Sequence, residues 1–283
     1  MSLQKRVEAL SGASGTGAPD PSAFSVFDDF LTALEAGTIR AAERDDRGTW
    51  RAVSWVKQGI LFGFRIGRLT NMSVPATTKG MRFSFIDKDT IPPREFSEGD
   101  GVRIVPGGST IRRGTFIAKG VVCMPPMFVN VGAWVGAGTM IDSHALVGSC
   151  AQIGERVHLS AASQIGGVLE PVNASPVVIE DDALVGGNCG VYEGTVVRTR
   201  AVLAAGVVLT RGTPVYDLVK EQVIRADADH ALEIPEGAVV VPGARDVSSG
   251  WGKSHGLSLQ TPVIVKYRDE KTDTATALEA WLR

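Results

Sequence analysis

The stretch VNVGAWVGAGTMIDSHALVGSCAQIG, residues 129–154, carries an aliphatic residue at every sixth position. Neither the 3.6-residue period of a helix nor the two-residue period of a strand gives this spacing. Counting in sixes through residues 111–165, and again two residues out of phase through 179–215, marks 17 positions, and all are apolar. With 44% hydrophobic residues in the chain, chance gives such a run about once in a million for one chosen phase. The marked residues are Ile111, Ile117, Cys123, Val129, Val135, Ile141, Val147, Ile153, Leu159, Ile165, Ile179, Val185, Val191, Val197, Leu203, Leu209 and Val215.

A six-residue period is typical of a hexapeptide β-helix, in which each repeat supplies one short strand and one turn. Three repeats form a triangular coil, so the 17 marked positions predict between five and six coils, stacked at about 4.8 Å like paired strands. We expect the marked residues to point inward. Glycine directly after them, as at Gly136, Gly148 and Gly154, suits the corners. The sequence therefore predicts a mainly β protein built on a parallel β-helix, interrupted at residues 167–176.

The segment before the repeats has helical patterns. Apolar residues at helical spacing predict one helix over 21–36, ended by Gly37, and another over 55–66, with a polar hairpin over 41–53 between them. Residues 1–20 are polar and rich in Gly, Ser, Ala and Pro, so we expect a tail that is poorly ordered at its start.

The segment after the repeats predicts a cap. The six-residue pattern fades after residue 215 and returns weakly at 234–243, and it is followed by a predicted strand over 261–266 and a helix over 273–282. Such a piece would cover the last coil, whose backbone groups are otherwise unpaired. We therefore divide the chain into a small α-rich N-terminal domain (1–103), the β-helix (104–245) and a short C-terminal strand-and-helix cap (246–283).

Composition argues against several classes of protein. The 29 basic and 31 acidic residues leave a net charge of −2, without the basic excess of a nucleic-acid binder. No apolar run approaches the roughly 20 residues that span a membrane, and no signal-peptide pattern opens the sequence. The three cysteines and four histidines are scattered without metal-ligand spacing. We therefore expect a cytoplasmic protein with no metal.

Three motifs resemble a known family: residues 138–154, 157–160 (VHLS) and 165–171 (IGGVLEP). They are similar to those of tetrahydrodipicolinate N-succinyltransferases, and the likeness extends over most of residues 30–270. The resemblance implies a left-handed β-helix and a homotrimer with active sites between subunits. It also implies succinyl-CoA as acyl donor and the amine of ring-opened tetrahydrodipicolinate, 2-amino-6-oxopimelate, as acceptor, a step of lysine and diaminopimelate biosynthesis.

Three other functions stay open at this stage. An N-acetyltransferase of the same pathway, using acetyl-CoA, shares two of the motifs, although the N-terminal helices favour the succinyl enzyme. Outside acyl transfer, the β-helix is also compatible with a non-catalytic scaffold or a metal protein resembling carbonic anhydrase. A metal protein of that kind needs a histidine triad, against which the four scattered histidines argue.

Acyl transfer to an amine needs a base, because a protonated ammonium group cannot attack a thioester. It also needs hydrogen-bond donors for the oxyanion of the tetrahedral intermediate. By resemblance to the family's Met-(Val/Ile)-Asp motif, Asp142 is expected to bind and deprotonate the substrate amine. His144 is the alternative base, since imidazole titrates near neutral pH. His158 is expected to be structural.

Glu193 is the candidate for a second carboxylate. Better-known members of the family have an additional glutamate three residues earlier, where this chain has Gly190. The number of repeats between Ile141 and Val191 is not a multiple of three, so Asp142 and Glu193 of one chain should lie on different faces and more than two coils apart. If both serve one site, two subunits must contribute them.

The remaining candidates bind substrate or cofactor. Arg103 matches the arginine of the family's Gly-Phe-Arg-Val-Val-Pro motif, and a guanidinium grips a carboxylate in bidentate fashion, so we expect it at one end of the dicarboxylate. For coenzyme A we expect small residues between coils to admit the pantetheine arm and basic residues to contact the phosphates. These candidates are Ser160, Ala161, Gly167, Ala204, Ala205 and Gly206 for the arm, and Lys253, Lys266 and Arg268 for the phosphates.

Overall fold

A computed structural model of the chain describes residues 1–12, 20–75, 82–228 and 230–269. None of the helices in these ranges combines the length and the hydropathy needed to cross a bilayer. The N-terminal part contains three helices and three short antiparallel strand pairs. In chain order its elements are α1 (Leu3–Gly12), α2 (Pro21–Glu35), β1 (Ala42–Arg44), β2 (Trp50–Ala52), α3 (Ser54–Ile66), β3 (Leu69–Asn71), β4 (Val74–Pro75), β5 (Arg82–Phe83) and β6 (Ile86–Lys88).

The predicted helices and hairpin of this part are confirmed, but the predicted tail is wrong at its start. The side chain of Asp20 accepts a hydrogen bond from the Ser22 amide, which caps α2, and Gly37 adopts a positive φ just beyond its end. Residues 3–12 form α1 rather than a poorly ordered segment. Val7 is buried against α2 and α3, and this tertiary packing outweighs the polar composition of the segment.

The β-helix consists of two- and three-residue strands joined by tight turns. They are β7 (Arg103–Ile104), β8 (Thr110–Ile111), β9 (Phe116–Ile117), β10 (Val122–Cys123), β11 (Phe128–Val129), β12 (Trp134–Val135), β13 (Met140–Ile141), β14 (Leu146–Val147), β15 (Gln152–Ile153), β16 (His158–Leu159), β17 (Gln164–Ile165), β18 (Val178–Ile179), β19 (Leu184–Val185), β20 (Gly190–Val191), β21 (Val196–Val197), β22 (Val202–Leu203), β23 (Val208–Leu209), β24 (Val215–Asp217), β25 (Gln222–Ile224) and β26 (Glu233–Ile234).

Strands β7 to β23 and β26 stack into a left-handed parallel β-helix with three faces. Face 1 contains β7, β10, β13, β16, β19 and β22; face 2 contains β8, β11, β14, β17, β20 and β23; face 3 contains β9, β12, β15, β18, β21 and β26. We call the edges between them corner 1–2, corner 2–3 and corner 3–1. All 17 residues marked by the six-residue count lie in these strands or at the start of β24, with at most 6% of their surface exposed. The prediction of the central fold is confirmed.

Two excursions interrupt the coils. The first, residues 166–177 between β17 and β18, leaves corner 2–3 where the sequence predicted a break. The second holds the antiparallel pair β24 and β25 before β26 resumes face 3, with Ile234 beside Val197. The chain then ends its described part in β27 (Ala238–Asp246), the short helix α4 (Gly250–Ser254) and β28 (Ser258–Tyr267).

The C-terminal ribbon of β27 and β28 continues face 1. Val240 pairs in parallel with Leu203, while β28 runs antiparallel to β27, so the ribbon covers the edge of the last coil, as the sequence predicted. The predicted helix over 273–282 lies outside the described residues. The three-part division stays a prediction: its first boundary falls within β7 and its second within β27.

The N-terminal part packs on face 3 and on corner 2–3. Helices α2 and α3 share one hydrophobic cluster with the corner residues Val131 and Cys150. On face 3, the guanidinium of Arg40 lies 4.1 Å from the centre of the Trp134 ring and donates a 2.5 Å hydrogen bond to the Gln152 side chain. Burial lowers the pKa of Arg40 to about 10. The N-terminal part is therefore joined to the β-helix by buried polar contacts as well as by apolar packing.

Glu180, at the end of β18, is the centre of the hairpin's attachment. Its carboxylate is 8% exposed and accepts hydrogen bonds from the Trp50 indole, the Arg198 guanidinium and both the amide and hydroxyl of Thr199. Burial alone would raise the pKa of Glu180, but the hydrogen bond from Trp50 and the charge and hydrogen bond of Arg198 hold it below its ordinary value.

Replacing Glu180 by Gln is expected to lower the free energy of unfolding by about 2 kcal/mol near neutral pH, because a charged acceptor of several hydrogen bonds is lost. The contribution of the carboxylate is full above its unfolded-state pKa of about 4.3 and disappears as pH falls through the lower folded-state value. Urea unfolding at pH 7 and at pH 3 to 4 measures this difference. A gap between the two proteins that stays constant on acidification would contradict this account of the attachment.

Candidate active site

Corner 1–2 gathers most of the residues singled out from the sequence. Asp142 and His144 follow β13, Ser160 and Ala161 follow β16, and Ala204 and the two residues after it follow β22. Successive turns are joined by backbone hydrogen bonds, from Ala162 to Ser143, from Asn188 to Ala161 and from Gly206 to Gly187. The corner is therefore a continuous ladder of small residues, with Asp142 and His144 toward its N-terminal end.

The carboxylate of Asp142 is accessible and fixed by local contacts. Its side chain is 32% exposed, and Oδ1 accepts a 2.7 Å hydrogen bond from the Ser143 amide. Oδ2 lies 4.0 Å from Nε2 of His158, which occupies the next coil of face 1. The carboxylate therefore has one oxygen directed by the backbone and the other beside an imidazole, an arrangement suited to accepting a proton from an amine.

His144, the alternative base, occupies the turn itself. It has a φ of 62°, a left-handed conformation that few non-glycine residues adopt, and its amide donates to the carbonyl of Pro126 in the preceding coil. The residue is exposed. The structure thus brings Asp142, His144 and His158 to one corner, while the roles given to them stay predictions.

Arg103 lies on the same face as Asp142. Strand β7 pairs with β10 and β10 with β13, so that Arg103, Val122 and Met140 form one column. Two coil steps separate Arg103 from Met140, which corresponds to about 10 Å. An exposed guanidinium and the Asp142 carboxylate on one face suit a substrate that carries a carboxylate at one end and an amine at the other.

The cofactor candidates do not share one place in the chain. Ser160, Ala161, Ala204, Ala205 and Gly206 share corner 1–2, and the ribbon passes beside them, with Gln260 donating to the Gly206 carbonyl.

The other cofactor candidates lie elsewhere. Gly167 lies at corner 2–3. Arg268 donates to the carbonyls of Asp182 and Arg200 at corner 3–1, Lys266 contacts Asp269, and Lys253 is in α4 beyond the end of β27. Within one chain, the structure therefore groups the arm candidates but not the phosphate candidates.

Corner 2–3 holds a concave site, a cavity of about 880 Å³ beneath the 166–177 excursion. This volume lies within the range of small-molecule sites. Glu193 lines it, and its Oε2 accepts a 2.9 Å hydrogen bond from the Arg211 amide. Glu193 follows β20 on face 2, whereas Asp142 follows β13 on face 1, two coils earlier. The predicted separation of these two carboxylates in one chain is confirmed.

Lys57 fixes the excursion that forms one wall of this cavity. Its side chain is fully buried in α3, and Nζ donates to the carbonyls of Pro171 at 3.0 Å and Ala174 at 2.7 Å. Burial lowers the pKa of the Lys57 ammonium group. The N-terminal part therefore determines the position of a loop that belongs to the β-helix.

Sequence reasoning overlooked several residues of these sites. Lys57 has the spacing of a core residue on α3, between the buried Val56 and Ile60, and no sequence pattern marks it as part of a site. Tyr192 stands between Val191 and Glu193, and the six-residue count does not mark it. The position of His158 follows from the sequence alone, because the residue lies 18 residues after Met140, which is one full coil.

The thiols do not supply a nucleophile at either corner. Cys123, Cys150 and Cys189 are free and buried, and burial raises the pKa of Cys123 and Cys150 to about 12. Thiolates are the reactive form of cysteine, so these two side chains are inert near neutral pH. The site is consistent with direct attack of an amine on the thioester.

Comparisons with known proteins agree with this architecture. The model of the family "Tetrahydrodipicolinate N-succinyltransferase N-terminal" matches residues 2–66, and that of "Hexapeptide repeat of succinyl-transferase" matches residues 176–211. A solved structure from Campylobacter jejuni, described as a 2,3,4,5-tetrahydropyridine-2-carboxylate N-succinyltransferase, superposes with a TM-score of 0.51 at 16% identity, over 85% of this chain and 62% of that one. This likeness shows the fold.

Two sequence relatives carry the family relationship. The 2,3,4,5-tetrahydropyridine-2,6-dicarboxylate N-succinyltransferase of Polynucleobacter asymbioticus is 43% identical over 258 residues, which cover 89% of this chain and 87% of the relative. The enzyme of the same name from Bradyrhizobium diazoefficiens is 42% identical over 262 residues, 90% of this chain and 88% of the relative. A match over about nine tenths of the chain includes residues of both the N-terminal part and the β-helix. The chain therefore belongs to the tetrahydrodipicolinate N-succinyltransferase family.

Proposed function

We propose that the protein transfers a succinyl group from succinyl-CoA to the amine of 2-amino-6-oxopimelate, the ring-opened form of tetrahydrodipicolinate. The observation that carries this proposal is the arrangement along corner 1–2, where an accessible carboxylate, Asp142, stands at one end of a ladder of small residues. The names of the relatives supply the succinyl group and the acceptor, and the resemblance of the motifs implies succinyl-CoA as donor and the lysine and diaminopimelate pathway.

The chemistry follows from the positions of these groups. Asp142 accepts a proton from the substrate ammonium, and the freed lone pair attacks the thioester carbonyl. The tetrahedral intermediate then collapses: the C–S bond breaks, the nitrogen gives up its second proton, the departing thiolate takes up a proton, and the amide and the CoA thiol are released. His158 stands beside the carboxylate to orient it, and Arg103 on the same face binds one substrate carboxylate. The small residues from Ser160 to Gly206 let the pantetheine arm approach the backbone.

The site is assembled between copies of the chain in this proposal. Asp142 lies at corner 1–2, and the cavity that contains Glu193 lies at corner 2–3 and two coils further on. One chain cannot bring both to one substrate, whereas neighbouring β-helices in a homotrimer can place corner 1–2 of one copy against face 2 of the next. We place the enzyme in the cytoplasm, in keeping with three cysteines that are all free.

The donor is tested by measuring thiol release from the purified protein with tetrahydrodipicolinate, offering succinyl-CoA and acetyl-CoA in parallel. We expect kcat/KM to be at least about 100-fold higher for succinyl-CoA, since a site built for a terminal carboxylate discriminates against a ligand without one. A preference for acetyl-CoA would reassign the donor. If neither donor gives thiol release, while an active relative does so under the same conditions, the proposed reaction is overturned.

A further inference from the structure

Tyr192 has no role in the chemistry proposed above. It follows the inward Val191 at the end of β20, and its ring folds back along the outside of face 2. A Cβ atom added to Gly190 would lie 2.5 Å from Cε2 and 3.0 Å from the hydroxyl oxygen of Tyr192, and one added to Gly166 would lie 2.7 Å from Cδ1. The ring therefore covers two glycines in adjacent coils.

These distances make the tyrosine ring and a side chain at residue 190 mutually exclusive. A contact of 2.5 Å to a ring carbon is far inside van der Waals separation, so any larger residue at 190 would displace the ring. Gly190 is also the position at which the chain departs from the glutamate described above for better-known family members. The phenol group thus occupies the place from which such a side chain would extend.

The hydroxyl group of Tyr192 lies over Gly190 on the outside of face 2. The residue also lines the corner 2–3 cavity with Gly166 and Glu193, and among the described residues none makes a hydrogen bond with the hydroxyl. Tyrosine hydroxyls in partly buried positions usually find a partner. The ring is held by packing on the two glycines, so its polar end is fixed on face 2, against which the proposed homotrimer places corner 1–2 of a neighbouring copy.

We propose that the Tyr192 hydroxyl binds the amino group of the acceptor substrate, taking the place of a carboxylate at residue 190. This inference rests on the proposed function. A hydroxyl oxygen accepts an N–H hydrogen bond and so holds the nitrogen in place while Asp142 of a neighbouring copy removes its proton. Unlike a carboxylate, the neutral oxygen does not stabilise the charged ammonium form. The amine therefore loses its proton more readily than it would beside a glutamate.

The first test is Tyr192→Phe, which keeps the ring on the glycines and removes only the hydroxyl. We expect kcat/KM for the acceptor to fall about tenfold, the effect of one lost hydrogen bond, with the melting temperature unchanged. Tyr216→Phe, in β24 outside the six coils, is the matched control and should behave as wild type. A Tyr192→Phe enzyme within twofold of wild type would overturn the inference.

The second test replaces the tyrosine at residue 192 and introduces a carboxylate at residue 190. Gly190→Glu combined with Tyr192→Val should be more active than Tyr192→Val alone, and the acid limb of its pH–kcat profile should move to higher pH, because the carboxylate raises the pKa of the bound ammonium. An acid limb that does not move would contradict the proposed role. If the wild-type protein itself shows no turnover, the proposed function fails together with this inference; normal wild-type turnover with unaffected variants would remove only the inference.

Discussion

Asp142→Asn is expected to lower kcat at least about 100-fold while the protein stays folded and binds CoA as before. General base catalysis contributes a factor of roughly 10² to 10⁴, and an amide cannot accept the ammonium proton. The fold should tolerate the change, since Asp142 is partly exposed at a turn and the amide oxygen can still accept the hydrogen bond from the Ser143 amide. Steady-state kinetics and isothermal titration with CoA measure the two effects separately.

The alternative bases are the natural comparison for this variant. His144→Gln and Glu193→Gln should each retain much more activity than Asp142→Asn, because His144 is exposed in its turn and Glu193 lies at corner 2–3, away from the ladder of small residues. If Asp142→Asn turns over at a near-normal rate and His144→Gln does not, the role of base passes to the histidine.

Lys57→Met is expected to lower kcat/KM for the acceptor by about 10- to 100-fold, although residue 57 lies in α3. Methionine matches the length of lysine but cannot donate to the carbonyls of Pro171 and Ala174. The 166–177 loop then loses its attachment and the cavity at corner 2–3 loses a fixed wall. A misplacement of about 1 Å at a distance from the chemistry can cost such a factor. We also expect the free energy of unfolding to fall by about 2 kcal/mol, because two hydrogen bonds from a charged donor are lost.

The readout that separates positioning from stability is cleavage of the loop. Limited proteolysis followed by mass spectrometry should show faster cutting within residues 167–176 in Lys57→Met. Gln58→Met, at an exposed position of the same helix, should change neither cleavage nor kinetics. If Lys57→Met lowers the free energy of unfolding and leaves kcat/KM intact, Lys57 holds the fold but does not position the site.

The six-residue period predicted the β-helix in detail because one physical demand repeats at every coil. Each marked side chain, from Ile111 to Val215, must fill the interior of a narrow prism, so each is apolar and buried. The sequence did not predict helix α1, because its stability comes from contacts with α2 and α3 and its own sequence carries few of the signals of a helix.

Residues of the candidate site were predictable from the sequence only where they recur with the six-residue period. Asp142, Ser160 and Ala204 fall at equivalent points of their coils, so their alignment at corner 1–2 follows from counting. Lys57 and Arg268 act across long stretches of sequence, since their partners are Pro171, Ala174, Asp182 and Arg200. No local pattern identifies such contacts. The same holds for Tyr192, whose position depends on glycines in two coils.

The most direct test of the proposed function is the mass of the acceptor product after incubation of the purified protein with tetrahydrodipicolinate and succinyl-CoA. The account predicts a product heavier by one succinyl group, joined to the amine nitrogen by an amide bond. Its amount should equal the CoA released. CoA release without a succinylated acceptor, which indicates simple hydrolysis of the thioester, would contradict it.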